Sequence, residues 1–144
     1  MKTRFSSLVS VKKNTMQKSE SAFRKANAAF MKASEAVEES LAQLYTITSP
    51  QTGKISDFLA NRTLLEAQRT LIRHNKEWVA FTQDEMLVAK KNLQKDMVEY
   101  EKFKYLEFEE QKKLIKEAKI KEAKDLDEIA LMTYANKDNT KALM

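Results

Sequence analysis

Ser49-Pro50-Gln51-Thr52-Gly53 holds the only proline and the only glycine of a 144-residue chain, and seven-residue apolar stripes run away from it in both directions. Proline lacks a backbone N–H and cannot continue a helix, whereas glycine accepts the dihedrals of a tight reversal. The stretch therefore predicts a turn between two helices. Upstream, Val9, Met16, Phe23, Phe30, Val37 and Leu44 recur every seventh residue, and Ala26, Ala33, Ser40 and Ile47 follow the last four at a spacing of three. This is the a and d pattern of paired helices, with large residues at a and mostly small ones at d. Leu8, Ala22, Ala29 and Ala36 widen the stripe enough to cover a partner helix.

Downstream, Phe58, Leu65, Ile72, Val79, Met86, Leu93 and Tyr100 keep the same period, broadened by Ile55, Leu64, Leu71, Trp78, Ala89, Met97 and Phe103. Ser56 is placed to cap the free N–H groups at the start of this helix, and Asp57 puts a negative charge in its first turn. So short a connection requires an antiparallel return. The expected fold is all-α: a long two-helix antiparallel coiled-coil hairpin, a single domain over residues 1–144, with helix 2 extending beyond helix 1. Helix 1 is expected over about 4–48, the turn over about 49–55, helix 2 over about 56–135, and a frayed tail over 136–144. At about 1.5 Å per residue the helices would measure roughly 65 Å and 120 Å. Setting Leu44 opposite Phe58 brings Phe5 near Met97 and leaves everything from about Tyr100 without a partner inside the hairpin. After Tyr100 the column moves to Phe108, Ile115 and Ile129, a shift that locally alters supercoiling.

Composition narrows the function classes. One-third of the residues are charged and 42% are hydrophobic, which suits long helices one layer of side chains thick and leaves no room for a pocketed enzyme core. Cysteine is absent and His74 is the single histidine, so thiolate and multi-His metal sites are excluded; one glycine cannot make a phosphate-binding loop. Neither a catalytic residue nor a cofactor or metal is expected. No apolar run approaches the ~18 residues that span a bilayer, and Met1-Lys2-Thr3-Arg4-Phe5 shows no secretory signal. A soluble, intracellular protein is the expectation.

The net charge of +5 is unevenly placed. Within the first 32 residues Lys2, Arg4, Lys12, Lys13, Lys18, Arg24, Lys25 and Lys32 meet only Glu20, whereas residues 109–128 mix six lysines with seven acids as solvated helices do. A basic helix can hold nucleic acid through its phosphates, but basic residues without interleaved exposed aromatics fit that role poorly. No nucleic-acid partner and no membrane insertion are expected. His74 reads as a residue of the solvated face and Trp78 as a rim residue. The methionines read as gap fillers.

Two regions read as docking surfaces. Tyr100, Phe103, Tyr105, Leu106 and Phe108 cover several helical faces where helix 1 ends, and Leu41, Tyr45, Leu64, Gln68, Leu71 and Asn75 form an apolar, amide-bearing strip near the turn.

Phe5-Ser6-Ser7-Leu8-Val9-Ser10-Val11-Lys12-Lys13, the alanine-rich first helix, the central break and the ending Lys124-Asp125-Leu126-Asp127-Glu128-Ile129-Ala130 together resemble the FliJ family of bacterial flagellar type III export proteins. The resemblance covers nearly the whole chain. Glu99-Tyr100-Glu101-Lys102-Phe103-Lys104-Tyr105-Leu106-Glu107 is also similar to the corresponding stretch of ε-proteobacterial members. It implies a cytoplasmic, non-catalytic hairpin similar to the central stalk of rotary ATPases, peripherally associated with the export apparatus at the inner membrane. It further implies three partners: the hexameric flagellar export ATPase, the export gate protein FlhA and export chaperones. On that picture Arg4, Lys12, Lys13, Tyr100, Phe103, Tyr105 and Phe108 would bind the ATPase. Leu41, Tyr45, Leu64, Gln68, Leu71 and Asn75 would face the gate, with Leu64, Gln68 and Asn75 departing from the family's preferences there. The alternatives are a generic assembly coiled coil, including a homodimer paired through the tail past Tyr100, or a stalk protein of a virulence-type secretion system.

Overall fold

The computed structural model describes residues 2–143, with side chains through Asn139. Among them there are two helices and no strands: α1, Ser6–Thr46, and α2, Ile55–Leu143. Helix 1 is thus shorter at both ends than its stripe suggests, and helix 2 runs on through most of the expected frayed tail. The extension has a local cause. Lys116-Glu117-Ala118-Lys119-Ile120-Lys121-Glu122-Ala123-Lys124 is built almost wholly from strong helix formers and continues helical without a partner.

The helix ends show how the sequence starts and stops them. At α1 the Thr3 hydroxyl accepts the Phe5 N–H at 3.1 Å and the Ser6 hydroxyl accepts the Thr3 N–H at 2.8 Å, a reciprocal cap. At α2 Ser56 already lies inside the helix, and it is Asp57 that reaches back, accepting the Lys54 N–H at 3.2 Å. The carboxylate therefore both caps and complements the dipole. Gly53 precedes it with φ of 145°, a region L side chains rarely enter, and a Cβ there would come within 2.9 Å of the Asp57 carboxylate. Helix 1 stops at Thr46, before Pro50, because Ser49 as the residue preceding proline is pushed out of the helical region.

The chain divides into two compact units, Lys13–Val98 and the paired segments Met1–Lys12 with Glu99–Met144. In the first unit contacts run antiparallel: Ser49 bonds Asn61, Ser40 and Gln43 bond Gln68, Ala36 bonds Asn75, and Ser19 bonds Asp96. The hairpin is as expected, but its register is not. Gln68 lies beside Ser40 and Gln43, where pairing Leu44 with Phe58 would set Arg62 and Leu59, because residues 47–54 form an open connection and the first turn of α2, with Ile55, Phe58 and Leu59, stays exposed.

The seam of this unit is one layer deep. Met16, Phe23, Phe30, Val37 and Leu44 are half-buried from α1, and Leu65, Val79, Met86 and Leu93 from α2. Among the described residues only Ala33, Ile72, Ser40 and Thr82 are buried. Half of those are polar. The column three residues on from the large apolar one on α2 reads Asn61, Gln68, Asn75, Thr82, Ala89, Asp96, and its polar members face the small residues of α1. Short side chains opposite leave room for amides to reach the backbone of the other helix. The buried hydroxyls turn to carbonyls of their own helix, Ser40 to Val37 at 2.9 Å and Thr82 to Trp78 at 2.9 Å. No buried side-chain N or O among the described residues lacks a partner.

In the other unit the chain start lies antiparallel on α2. Lys12 pairs with Glu99 at 3.7 Å, Ser6 donates to Glu107 at 2.9 Å, and Arg4 pairs with Glu110 at 3.6 Å. Residues from Tyr100 were expected to have no partner in the hairpin, yet Tyr100, Phe103, Leu106 and Leu114 are half-buried. The register explains the difference: Ser6 lies beside Glu107, whereas the expected pairing sets its neighbour Phe5 near Met97, so the covered part of α2 ends later. Beyond Leu114 every described side chain is exposed.

Candidate functional site

The candidate ATPase-binding residues fall into two groups once their contacts are drawn. Lys12 is held on both sides, by Glu99 and by the face of Phe103 at 5.5 Å to the ring centroid. Arg4 lies over Phe5 at 5.0 Å while reaching Glu110. Lys104 covers Tyr100 at 5.6 Å, and Lys102 approaches Phe103 at 5.9 Å. These cations and half-buried rings satisfy one another within the unit, each contact worth about 0.5–1 kcal/mol at such exposed sites. Tyr105 and Phe108 are different. Both are exposed, the latter with Lys112 over its ring at 4.6 Å. Lys13 is exposed and belongs to the other unit.

Further along α2, Ile115 and Ile120 form an exposed apolar strip bordered by Lys112, Lys116 and Lys119, followed by exposed Leu126, Ile129, Leu131, Met132 and Tyr134. Periodicity alone places the start of the uncovered region at Tyr100. The acidic partners Glu99, Glu107 and Glu110 escape the sequence reading as well, although the seven-residue spacing carried on past Phe103 sets Glu110 in the seam.

The turn-proximal strip also splits. Gln68 donates to the Ser40 carbonyl at 2.8 Å and to the Gln43 side chain at 3.3 Å; Asn75 donates to the Ala36 carbonyl at 3.2 Å and to the Ser40 hydroxyl at 3.3 Å. Their amides are turned into the seam and hold the two helices in register, as polar residues at such positions do. Leu41 is half-buried. Tyr45, at 85% exposure, with Leu64 and Leu71 remains on the surface. Trp78 lies at the rim, 38% exposed, and His74 is exposed, both where their positions in the repeat put them. Among the described residues no group of three or more His, Cys, Asp or Glu is placed to hold a metal ion, and no helix is long and apolar enough to cross a membrane.

These features define a class of protein: an all-α antiparallel helical hairpin that offers exposed apolar strips bordered by charge. The family model described as Flagellar FliJ protein matches residues 1–139, and the chain belongs to that family. Its role is accordingly a flagellar, export-related one, in a family of non-catalytic proteins. No curated protein and no solved structure matches the chain.

Proposed function

We propose that the chain is the non-catalytic stalk and adaptor of the bacterial flagellar type III protein export apparatus, binding and stimulating the hexameric export ATPase and contacting the export gate protein FlhA. The observation that carries this reading is the family match over residues 1–139, taken with a hairpin whose second helix continues past its covered part. The protein works in the cytoplasm, peripherally associated with the export apparatus at the inner membrane, and escorts export chaperones.

Exposure selects among the candidate residues. Tyr105, Phe108 and the strip from Ile115 to Tyr134 present apolar surface for the ATPase, and Tyr45, Leu64 and Leu71 present it for the gate. Lys12, Phe103, Gln68 and Asn75 shape those surfaces from beneath, and Arg4 is an exposed cation paired with Glu110. The test adds the purified full-length chain to the export ATPase and follows ATP hydrolysis and ring formation. Both should rise, and Tyr105→Ala with Phe108→Ala should reduce the stimulation while leaving the helical content intact. No change in hydrolysis or assembly would remove the mechanism.

A further inference from the structure

In the unit Lys13–Val98 a trough of about 600 Å³ runs along one side of the helix pair, floored by Ala22 and Ala26 of α1 and Ala89 of α2 and walled by Phe81 and Val88. It exists because the floor residues are too short to fill the space between the helices. Phe81 and Val88, seven residues apart on one face of α2, each remain 59% exposed beside it. Two turns of helix separated by small residues and edged by large apolar ones make a seat for a third helix, which anchors at i, i+3, i+4 and i+7.

Charge along the two edges says which helix. Lys18 and Lys25 flank Ala22 at minus four and plus three on the same face of α1, both exposed, and Asp84 and Glu85 stand between Phe81 and Val88 on α2. Among the described residues none of these four makes an ion pair within the chain. The trough is thus lined by two carboxylates on its α2 side, and helical spacing sets two lysines next to its lining residue Ala22 on the α1 side. We propose that it docks an amphipathic α-helix of another protein, with a Leu-like apolar stripe, acidic residues along the edge over Lys18 and Lys25, and basic residues over Asp84 and Glu85. The guest completes a three-helix bundle in this unit. This surface shares no residue with Tyr45, Leu64 and Leu71 or with Tyr105 and Phe108, and it stands whether or not the export reading does.

The experiment uses the full-length chain and two fluorescently labelled synthetic helices of about three heptads with Leu at a and d. One carries Glu on one flank and Lys on the other; the second carries Lys on both. Binding is read by anisotropy at low salt. The Glu–Lys helix should bind about tenfold more tightly than the Lys–Lys helix, and the double change Lys18→Glu with Lys25→Glu should reverse that order. Val88→Glu, at an exposed position, and Ala22→Phe, which fills the floor, should each weaken the Glu–Lys helix about tenfold or more with helical content unchanged. Equal affinity for the two helices, no binding at all, or indifference to both groove variants would overturn the proposal. So would self-association of the chain that Val88→Glu abolishes, since that outcome seats a second copy in the trough.

Discussion

The stretch from Leu65 to Leu93 and the stretch from Ile115 to Tyr134 are both α-helix and both carry apolar residues at helical spacing, yet one lies against another helix and the other is exposed at every described position. The first is held by a seam in which small residues of α1 leave space that amides and hydroxyls of α2 fill. The second holds its helix through the intrinsic propensity of its residues. A repeat of large residues is therefore not by itself a sign of burial. What separates the two stretches is a small-residue column on the facing helix, which α1 supplies only along its own length.

Mutations can break this comparison. Ile72 is 7% exposed in the seam, so Ile72→Ala should cost about 2–4 kcal/mol in denaturant unfolding. The matching change Ile129→Ala, at an exposed position, belongs at the other end of the scale. If both cost the same, the contrast between the stretches is wrong. Next in size, Gly53→Ala forces a side chain into a φ of 145° and against the Asp57 carboxylate. It should destabilise by about 1–2 kcal/mol, measured in the same way. An unchanged midpoint would mean the reversal does not need that conformation.

A sharper test concerns the amides. Gln68→Leu with Asn75→Leu replaces the polar seam by an apolar one, and the expected result is a thermal midpoint equal to or above that of the parent with loss of a single register. Interhelical disulfide trapping between cysteines introduced at Ser40 and at positions along α2 would show it: one partner position in the parent, several in the variant. A single trapped register in both would assign register to the apolar residues alone. Smallest of all, Ile129→Ala should change stability by less than about 0.5 kcal/mol.

Much of the hairpin was legible because proline and glycine occur once each and the stripes point away from them. The register was not. Pairing Leu44 with Phe58 assumes a turn that keeps the last apolar residue of one stripe opposite the first of the next, and nothing in Ser49 to Gly53 reports that Phe58 stays outside. Asn61 with Ser49 of the connection, and Gln68 with Ser40 of α1, carry that information as hydrogen bonds, which periodicity cannot see. The same blindness affected the surfaces. Gln68 and Asn75 were legible as residues near the turn, but only their small partners on α1 reveal that they face inward. Arg4, Lys12 and Phe103 were legible as basic and aromatic, whereas the contacts of Lys12 with Glu99 and Phe103 and of Arg4 with Glu110 depend on the corrected register.

Trp78 carries a last consequence. It is the sole indole of the chain and sits at the boundary between packed seam and water. Excited near the red edge of aromatic absorption, the whole molecule emits from that one ring. The colour of that light tracks hydration at a single rim position, so gain or loss of cover on this flank shifts the spectrum without any added dye.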